Sequence, residues 1–372
     1  MLAEDPHMYS VFFQVKPDDY TEDFLRPCDK VISYNEIYPE HTFRWNFVRE
    51  IRSLPPNEWE PALDELTSIL FSDFMTDTRN RIWVDAARST FKAFVMVILH
   101  CYRNNPSNYK VIYAMKTMSS KALMTMLAEY GPNLSFIKDS FGFDPAHCEN
   151  YVLSRKGSDI LFFLNNVLEK FGGTFMSEDG DDTISDYLHG RFGERLFILH
   201  DHKVRTSSKL FERFFLKYIT DQILSLTSVF SGRLVYVLDE IDKIEGDFGL
   251  TQAVTLGRQF GLQLIVSTQS LESLYAIAPE LYGEHLTNAS ISGFGVQVAF
   301  HPGDPMTIQT LKNLWGNEKK QTIIMPLSRY DKPAVITEQR PIVEDEDFSS
   351  LDTGECYIKI RSANPERVKI LI

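Results

Sequence analysis

Cysteine is scarce and scattered: four residues in 372 (Cys28, Cys101, Cys148, Cys356), with no CxxC pair and no Cys/His cluster. Such spacing offers neither a zinc site nor a disulfide framework, and it fits a reduced, cytoplasmic environment. Long apolar runs are missing too. None reaches the ~18 residues that a bilayer-spanning helix needs; the longest, such as Ala93–Leu99, are the size of a core helix. The opening MLAEDPHMYS is polar and acidic and does not read as a secretory leader. Positive charge is in deficit, with 38 Lys/Arg against 51 Asp/Glu and a net of -13. That excludes a generic basic nucleic-acid glove, although local basic loops are enough to contact a phosphate backbone. There is no internal repeat and no low-complexity segment. Finally, no GxxxxGK(S/T) occurs, the loop that cradles phosphates through backbone N–H groups and a Lys.

What is present is ample core: 44% hydrophobic and 13% aromatic residues, enough for two domains or one large domain with an insertion. Val11–Val15 and Lys30–Tyr34 are short apolar runs bounded by Pro, Asp and Asn, and are expected to be buried strands. A Trp-containing stretch, His41–Phe47, leads to Pro55-Pro56. From about Glu58 to Gly190 helical periodicity takes over, in Trp59–Phe71, Ile82–Tyr102, Ser119–Glu129 and Asp159–Phe171. This predicts an all-α insertion, closed by the polar loop Ser177–Asp182. Residues 60–190 hold 12 Lys/Arg against 17 Asp/Glu, so the insertion is not a basic patch either.

Strands then return at Arg195–Leu199, Leu234–Leu238, Leu262–Val266 and Gly295–Phe300. Helical segments at about Ser207–Leu226, Gly249–Phe260, Leu271–Ile277 and Met306–Trp315 follow them in turn. This alternation predicts a parallel, doubly wound sheet. Ala334–Thr337 and Cys356–Arg361 read as two further strands at a sheet edge. The expected division is residues 1–57, 58–190 and 191–372: two parts of one α/β domain around an all-α insertion.

The chemistry concentrates after Leu234–Leu238. This apolar run should be a central strand buried on both faces, and it ends in Asp239-Glu240. Ligands of open α/β sheets gather at the carboxyl ends of strands. Asp239 there suits a hydrated Mg²⁺ ion, and Glu240 suits orienting a water for hydrolysis. The blander reading is two acids opening a helix. Gln269 ends the next strand, where its amide is placed to sense a γ-phosphate or simply to enter a helix. Arg258 lies near the end of the intervening helix, either as an arginine finger or as a cation favoured at a helix C-terminus. His200-Asp201-His202 places two histidines on opposite faces and does not suggest a metal site. The acidic runs Asp179–Asp182 and Glu344–Asp347 read as solvated, as do Arg79, Arg81 and Arg88.

The order LVYVLDE, helix, GRQFGLQLIV, STQS resembles the coupling proteins of bacterial conjugation and type IV secretion (the TraD/TraG type), within the FtsK/HerA group of RecA-like motors. The resemblance spans nearly the whole chain. FFQVKPDDY resembles the family's strand after the P-loop helix, and Trp45-Asn46-Phe47 with Arg49-Glu50-Ile51 resembles its Trp-containing "Asn-Glu-Ile" stretch. Arg340-Pro341 and Cys356–Ile372 resemble its C-terminal β element. Two departures stand out. The P-loop is missing, which leads us to expect a fragment beginning after it, and Gln14 stands where the family usually has Asp.

The resemblance implies a RecA-like P-loop NTPase core. Asp239 would be the Walker B acid supporting Mg²⁺ through water, Glu240 the catalytic glutamate, Gln269 the third-motif glutamine and Arg258 the finger acting on a neighbouring subunit. It further implies ATP and Mg²⁺ as cofactors, a homo-hexamer with DNA in its channel, and a relaxase or secreted protein as cargo. The chain would be the cytoplasmic domain of a protein anchored in the bacterial inner membrane, working with components of the type IV secretion channel. Two other readings are a catalytically inactive recognition module of the same fold and a different FtsK/HerA-type DNA translocase.

Overall fold

A computed structural model describes residues 8–14, 24–75, 79–130, 134–170, 180–189, 194–200, 203, 205–225, 233–244, 246–277, 291–324 and 334–370. The chain divides into two compact units, Met1–Asp239 with Gln259–Ile265, and Glu240–Arg258 with Val266–Ile372.

The first unit is built on a five-stranded parallel sheet of β1 (Met8–Gln14), β2 (Lys30–Ser33), β3 (Arg195–Leu199), β4 (Arg233–Leu238) and β5 (Leu262–Val266), in the order β2-β3-β1-β4-β5. The apolar runs explain it. Tyr9, Val11 and Phe13 of β1, all of β3, and Leu234, Val235, Tyr236 and Leu238 of β4 are buried, as strands covered on both faces must be. Val11 pairs with Leu196 on one side and Tyr236 on the other, which puts β1 in the middle and β4 one place off centre. Of the first predicted strand, Val15 lies outside the described residues.

Between β2 and β3 the described chain is helical: α1 (Phe47–Arg52), α2 (Trp59–Phe71), α3 (Arg81–Cys101), α4 (Asn108–Thr117), α5 (Ser120–Tyr130), α6 (Leu134–Phe141), α7 (Arg155–Lys170) and α8 (Ile184–His189). The long α3 organises them. Val84, Ala87, Phe91, Phe94, Val95 and Ile98 recur at helical spacing and are buried, and α3 packs against α2, α5 and α7. A further helix, α9 (Arg205–Leu224), follows β3. Its Phe214, Phe215 and Tyr218 surround the indole of Trp45 at 5.4 to 5.9 Å between ring centroids.

The Trp45 stretch is also a polar junction. Asn46 caps α1 and donates to the carbonyls of Pro106 and Gly180. The Glu50 carboxylate accepts from Trp45 Nε1 (2.8 Å) and from the N–H groups of Ile184 (2.6 Å) and Ser185 (2.8 Å) at the start of α8. The acidic loop before α8 is therefore partly structural. Asp182 pairs with Trp45 in a β-bridge and accepts from the Arg44 N–H at 2.8 Å. Asp179 lies outside the described residues.

The second unit contains α10 (Leu250–Leu256), α11 (Leu271–Ile277), β6 (Val296–Ala299), α12 (Pro305–Trp315), β7 (Asn317–Ile324), β8 (Ala334–Pro341), α13 (Asp345–Ser349), β9 (Glu355–Ile360) and β10 (Glu366–Lys369). Here β6 does not join a parallel sheet as the alternation predicted. It pairs antiparallel with β9 in the order β10-β9-β6. The physical reason is its amphipathic character: Val296 and Val298 are exposed, while Ala299 packs with Leu311 and Trp315 of α12 and with Phe348 and Tyr357. β8 runs on past the predicted Thr337 to Pro341, and its partner β7 is a polar run that gave no strand signal. The acids at 344–347 are not merely solvated either: Glu344 and Asp347 form a capping box on α13. Among the described residues, no helix is long and apolar enough to cross a membrane.

Candidate functional site

β4 places Asp239 at its carboxyl end. The Asp239 N–H donates to the Phe13 carbonyl at 3.1 Å, so the tip stays in register with β1 while the carboxylate is exposed. In the strand order, the chain leaves β1 toward β2 on one side and leaves β4 toward β5 on the other. Asp239 therefore sits at a switch point of the sheet, where open α/β folds gather ligands.

Glu240 breaks the strand. Its backbone is left-handed, with φ 47° and ψ 52°, a conformation that carries a steric penalty of about 1–2 kcal/mol for a residue with a Cβ. Two hydrogen bonds hold it there. The Glu240 N–H donates to Ser267 Oγ at 3.0 Å, and the Ile241 N–H donates to the Ser267 carbonyl at 3.0 Å. A single 3₁₀ turn, Ile241–Lys243, follows. The result aims the side chain at Gln269, whose Nε2 donates to Glu240 Oε1 at 2.5 Å. Two of the residues singled out in the sequence, 29 positions apart, thus meet.

The remaining one of the second unit stands apart from this pair. Arg258 lies in the 3₁₀ turn Gly257–Phe260 that replaces the predicted last turn of the helix. Gly261 follows at φ 79°, a backbone that suits glycine and closes the turn before β5. Arg258 is exposed, and among the described residues it forms no hydrogen bond or ion pair with Glu240 or Gln269.

Two further residues were not read from the sequence. The Asp242 side chain is fully buried. Its Oδ1 accepts from Thr268 Oγ1 (3.1 Å) and the Gln269 N–H (3.3 Å), and its Oδ2 from Lys243 Nζ (2.7 Å). That hydrogen bond raises the Lys243 ammonium above its usual pKa and keeps it charged. Ser267 is the other, through its two contacts to Glu240 and Ile241. The available signal was weak: a third acid three places after Asp239, and a hydroxyl-rich STQS that reads equally well as a helix entry. Ser270 does serve that entry, accepting from the Ser273 N–H at 2.9 Å.

Among the described residues, no group of three His, Cys, Asp or Glu converges on one point. An exposed carboxylate at a strand tip is what Mg²⁺ takes when waters and phosphate oxygens fill most of its shell. His200 is buried with Nδ1 3.0 Å from both Glu212 oxygens, a structural pair; Asp201 and His202 lie outside the described residues. Arg88 pairs with Asp64 at 3.5 Å on the helix surface, and Arg79 and Arg81 are exposed.

Residues 40–370 match the family model described as the type IV secretion-system coupling protein DNA-binding domain. Among solved structures, the unbound monoclinic form of the bacterial conjugative coupling protein TrwBdeltaN70 is similar, with a TM-score of 0.71 at 17% identity over 99% of this chain and 85% of that one. The plasmid coupling protein TrwB in complex with ADP and Mg²⁺ gives 0.67 at 18% identity, over 100% of this chain and 86% of that one. TrwB with the ATP analogue ADPNP gives 0.69 at 18%, over 100% and 86%. No curated protein matches the sequence. At this identity the structural likeness establishes the fold, which is α/β and RecA-like.

Proposed function

The chain belongs to the family of type IV secretion-system coupling proteins, and from that premise we propose that it is part of an ATP-driven motor that recruits DNA with its relaxase, or a secreted protein, and moves it into the secretion channel. The observation that carries the reading is the 2.5 Å contact between Gln269 and Glu240, immediately after Asp239 at the end of β4. A carboxylate at a strand tip, held by an amide from the next strand, is an arrangement for orienting a water toward a phosphoryl group. TrwB has been seen with ADP and Mg²⁺ and with ADPNP, which supports the same ligands here.

In this reading Asp239 supports Mg²⁺ through water, Glu240 orients the attacking water and Gln269 responds to the γ-phosphate. Arg258, exposed and apart from the pair, acts on nucleotide held by a neighbouring subunit of a homo-hexamer. Residues 1–57 and 191–372 form the nucleotide-binding domain around the all-α insertion of 58–190. The working protein is anchored in the inner membrane, with this region on the cytoplasmic side and DNA in its channel.

The test is Glu240→Gln in the full-length protein. Removing a water-orienting carboxylate is expected to lower ATP turnover by about 10²-fold or more, with nucleotide binding retained. Unchanged turnover in that variant rejects the assignment. Absence of ATP hydrolysis by the unsubstituted full-length protein would favour an inactive recognition module of the same fold. The present 372 residues contain no GxxxxGK(S/T) and are expected to hydrolyse ATP negligibly by themselves.

A further inference from the structure

Asp242 presents a physical puzzle. A carboxylate with no exposed side-chain surface has lost its hydration, and that loss is tolerated only where protein donors replace the water. Lys243 replaces part of it at Oδ2, and is itself 41% exposed. The other oxygen is used differently. Oδ1 accepts from the Gln269 main-chain N–H and faces the Thr268 hydroxyl, whose single hydrogen it shares with the Ser270 carbonyl at 3.0 Å; the two groups lie on a segment 26 and 27 residues further along the chain.

These contacts have a geometric consequence. The turn Ile241–Lys243 carries Glu240 on its N-terminal side. Ser267 accepts from the N–H groups of Glu240 and Ile241 at the start of that turn, and Asp242 within the turn accepts from Thr268 and Gln269, the next two residues of the same segment. The backbones of Glu240 and Gln269 are thereby fixed against each other before their side chains touch. A left-handed Glu240 would otherwise relax toward a less strained φ and carry its carboxylate away. Orienting groups must be held to within about 0.5 Å to act, and a displacement of about 1 Å can lower a rate by around 10²-fold.

We propose that Asp242 is a positioning residue: it clamps the Thr268–Gln269 backbone so that the Gln269 amide meets the Glu240 carboxylate. This rests on the reading of Glu240 and Gln269 given above. Asp242 acts through hydrogen-bond acceptance at Oδ1. Its side chain has no exposed surface and its oxygens face Lys243, Thr268 and Gln269, in contrast to the exposed Asp239.

Full-length protein carrying Asp242→Ala, Asp242→Asn or Thr268→Val separates these roles. The first readout, independent of turnover, is amide hydrogen exchange of the 267–270 segment without nucleotide. Asp242→Ala is expected to speed that exchange about tenfold or more, and Thr268→Val less. Asp242→Asn is expected to restore protection, because the amide oxygen accepts the same two bonds. The second readout is ATP hydrolysis. Asp242→Ala is expected to lower kcat about tenfold or more with nucleotide affinity within about threefold of the parent, and Asp242→Asn to recover most of the loss. Unchanged exchange in Asp242→Ala overturns the clamp, as does Asp242→Asn behaving like Asp242→Ala, which would assign the role to the charge. Should Asp242→Ala fail to fold, Asp242→Asn and Thr268→Val still decide: fast exchange with low kcat in Asp242→Asn overturns the proposal, as does fully parental protection and kcat in Thr268→Val. Glu240→Gln run in parallel keeps the failures apart. If it retains turnover, the catalytic reading fails, while the exchange result still reports on the clamp.

Discussion

Glu50 is buried among three N–H donors, yet loss of hydration outweighs them and pushes its carboxyl up to about 7. The hydrogen bonds from Trp45, Ser185 and Ile184 pull the other way. A carboxyl whose pKa is raised by folding binds its proton more tightly in the native state. Its contribution to stability is complete below the unfolded value of 4.5 and is lost as pH rises toward 7. At about 1.4 kcal/mol per unit, the loss is of order 3 kcal/mol. Urea unfolding at pH 5 and pH 8 is expected to show lower stability at the higher pH. Glu50→Gln should flatten that difference while lowering stability at pH 5, because an amide cannot accept from all three donors. A steeper slope in Glu50→Gln would contradict this account. The same scale explains Glu240. Its left-handed backbone is invisible in LVYVLDE, since nothing in an apolar run with two acids specifies φ, and it exists because Ser267 and Asp242 hold the turn.

At the scale of elements, local chemistry and packing divide the work. Asp304-Pro305 opens α12, with the Asp304 carboxylate accepting from the Thr307 N–H at 2.7 Å and Gly316 closing the helix at φ 90°. Asp304→Ala is expected to lower stability by about 1 kcal/mol, measurable by chemical denaturation. α3 depends on packing instead. Phe91 is fully buried and meets Phe47 and Phe71, so Phe91→Ala should cost about 3–5 kcal/mol in the same measurement. A loss below 1 kcal/mol would mean that the helices around α3 repack. Strands and helices of this kind were legible because their periodicity is strong. β7 was not, because Asn317–Ile324 is mostly polar and is a strand only through its eight-residue pairing with β8. The end of α10 was misread for a similar reason. GRQF fits a helix by propensity, but Gly257 and Gly261 bracket a tighter turn.

For the whole molecule the question is assembly. Arg258 is exposed in the turn Gly257–Phe260, and among the described residues it makes no hydrogen bond or ion pair with Glu240. Full-length Arg258→Ala and Glu240→Gln proteins are each expected to be inactive, and mixing them should restore part of the ATP turnover. In a mixed assembly some interfaces pair an intact Glu240 with an intact Arg258 from next door. Mixtures no more active than the separate variants would place Arg258 within its own subunit's chemistry or outside the reaction. The net charge of -13 adds a constraint on cargo. Any phosphate backbone must be met by local basic groups, so DNA binding should be strongly weakened by salt without the surface as a whole being cationic.

The buried parallel strands, the long amphipathic helices and the family are legible in residue order alone. These follow from patterns that repeat within one segment, where burial on two faces or one dictates which residues can stand there. Residue order also marked Asp239, Glu240 and Gln269, because acids and amides at strand ends are conspicuous against apolar runs. The tertiary structure decided the rest: that β6 turns antiparallel beside β9, that Glu50 gathers donors from Trp45 and α8, and that Asp242 and Ser267 join Glu240 to Gln269. Each of those depends on contacts between residues far apart in the chain. No local pattern encodes them, since a hydroxyl or a carboxylate acquires its partner only when the two segments are folded together.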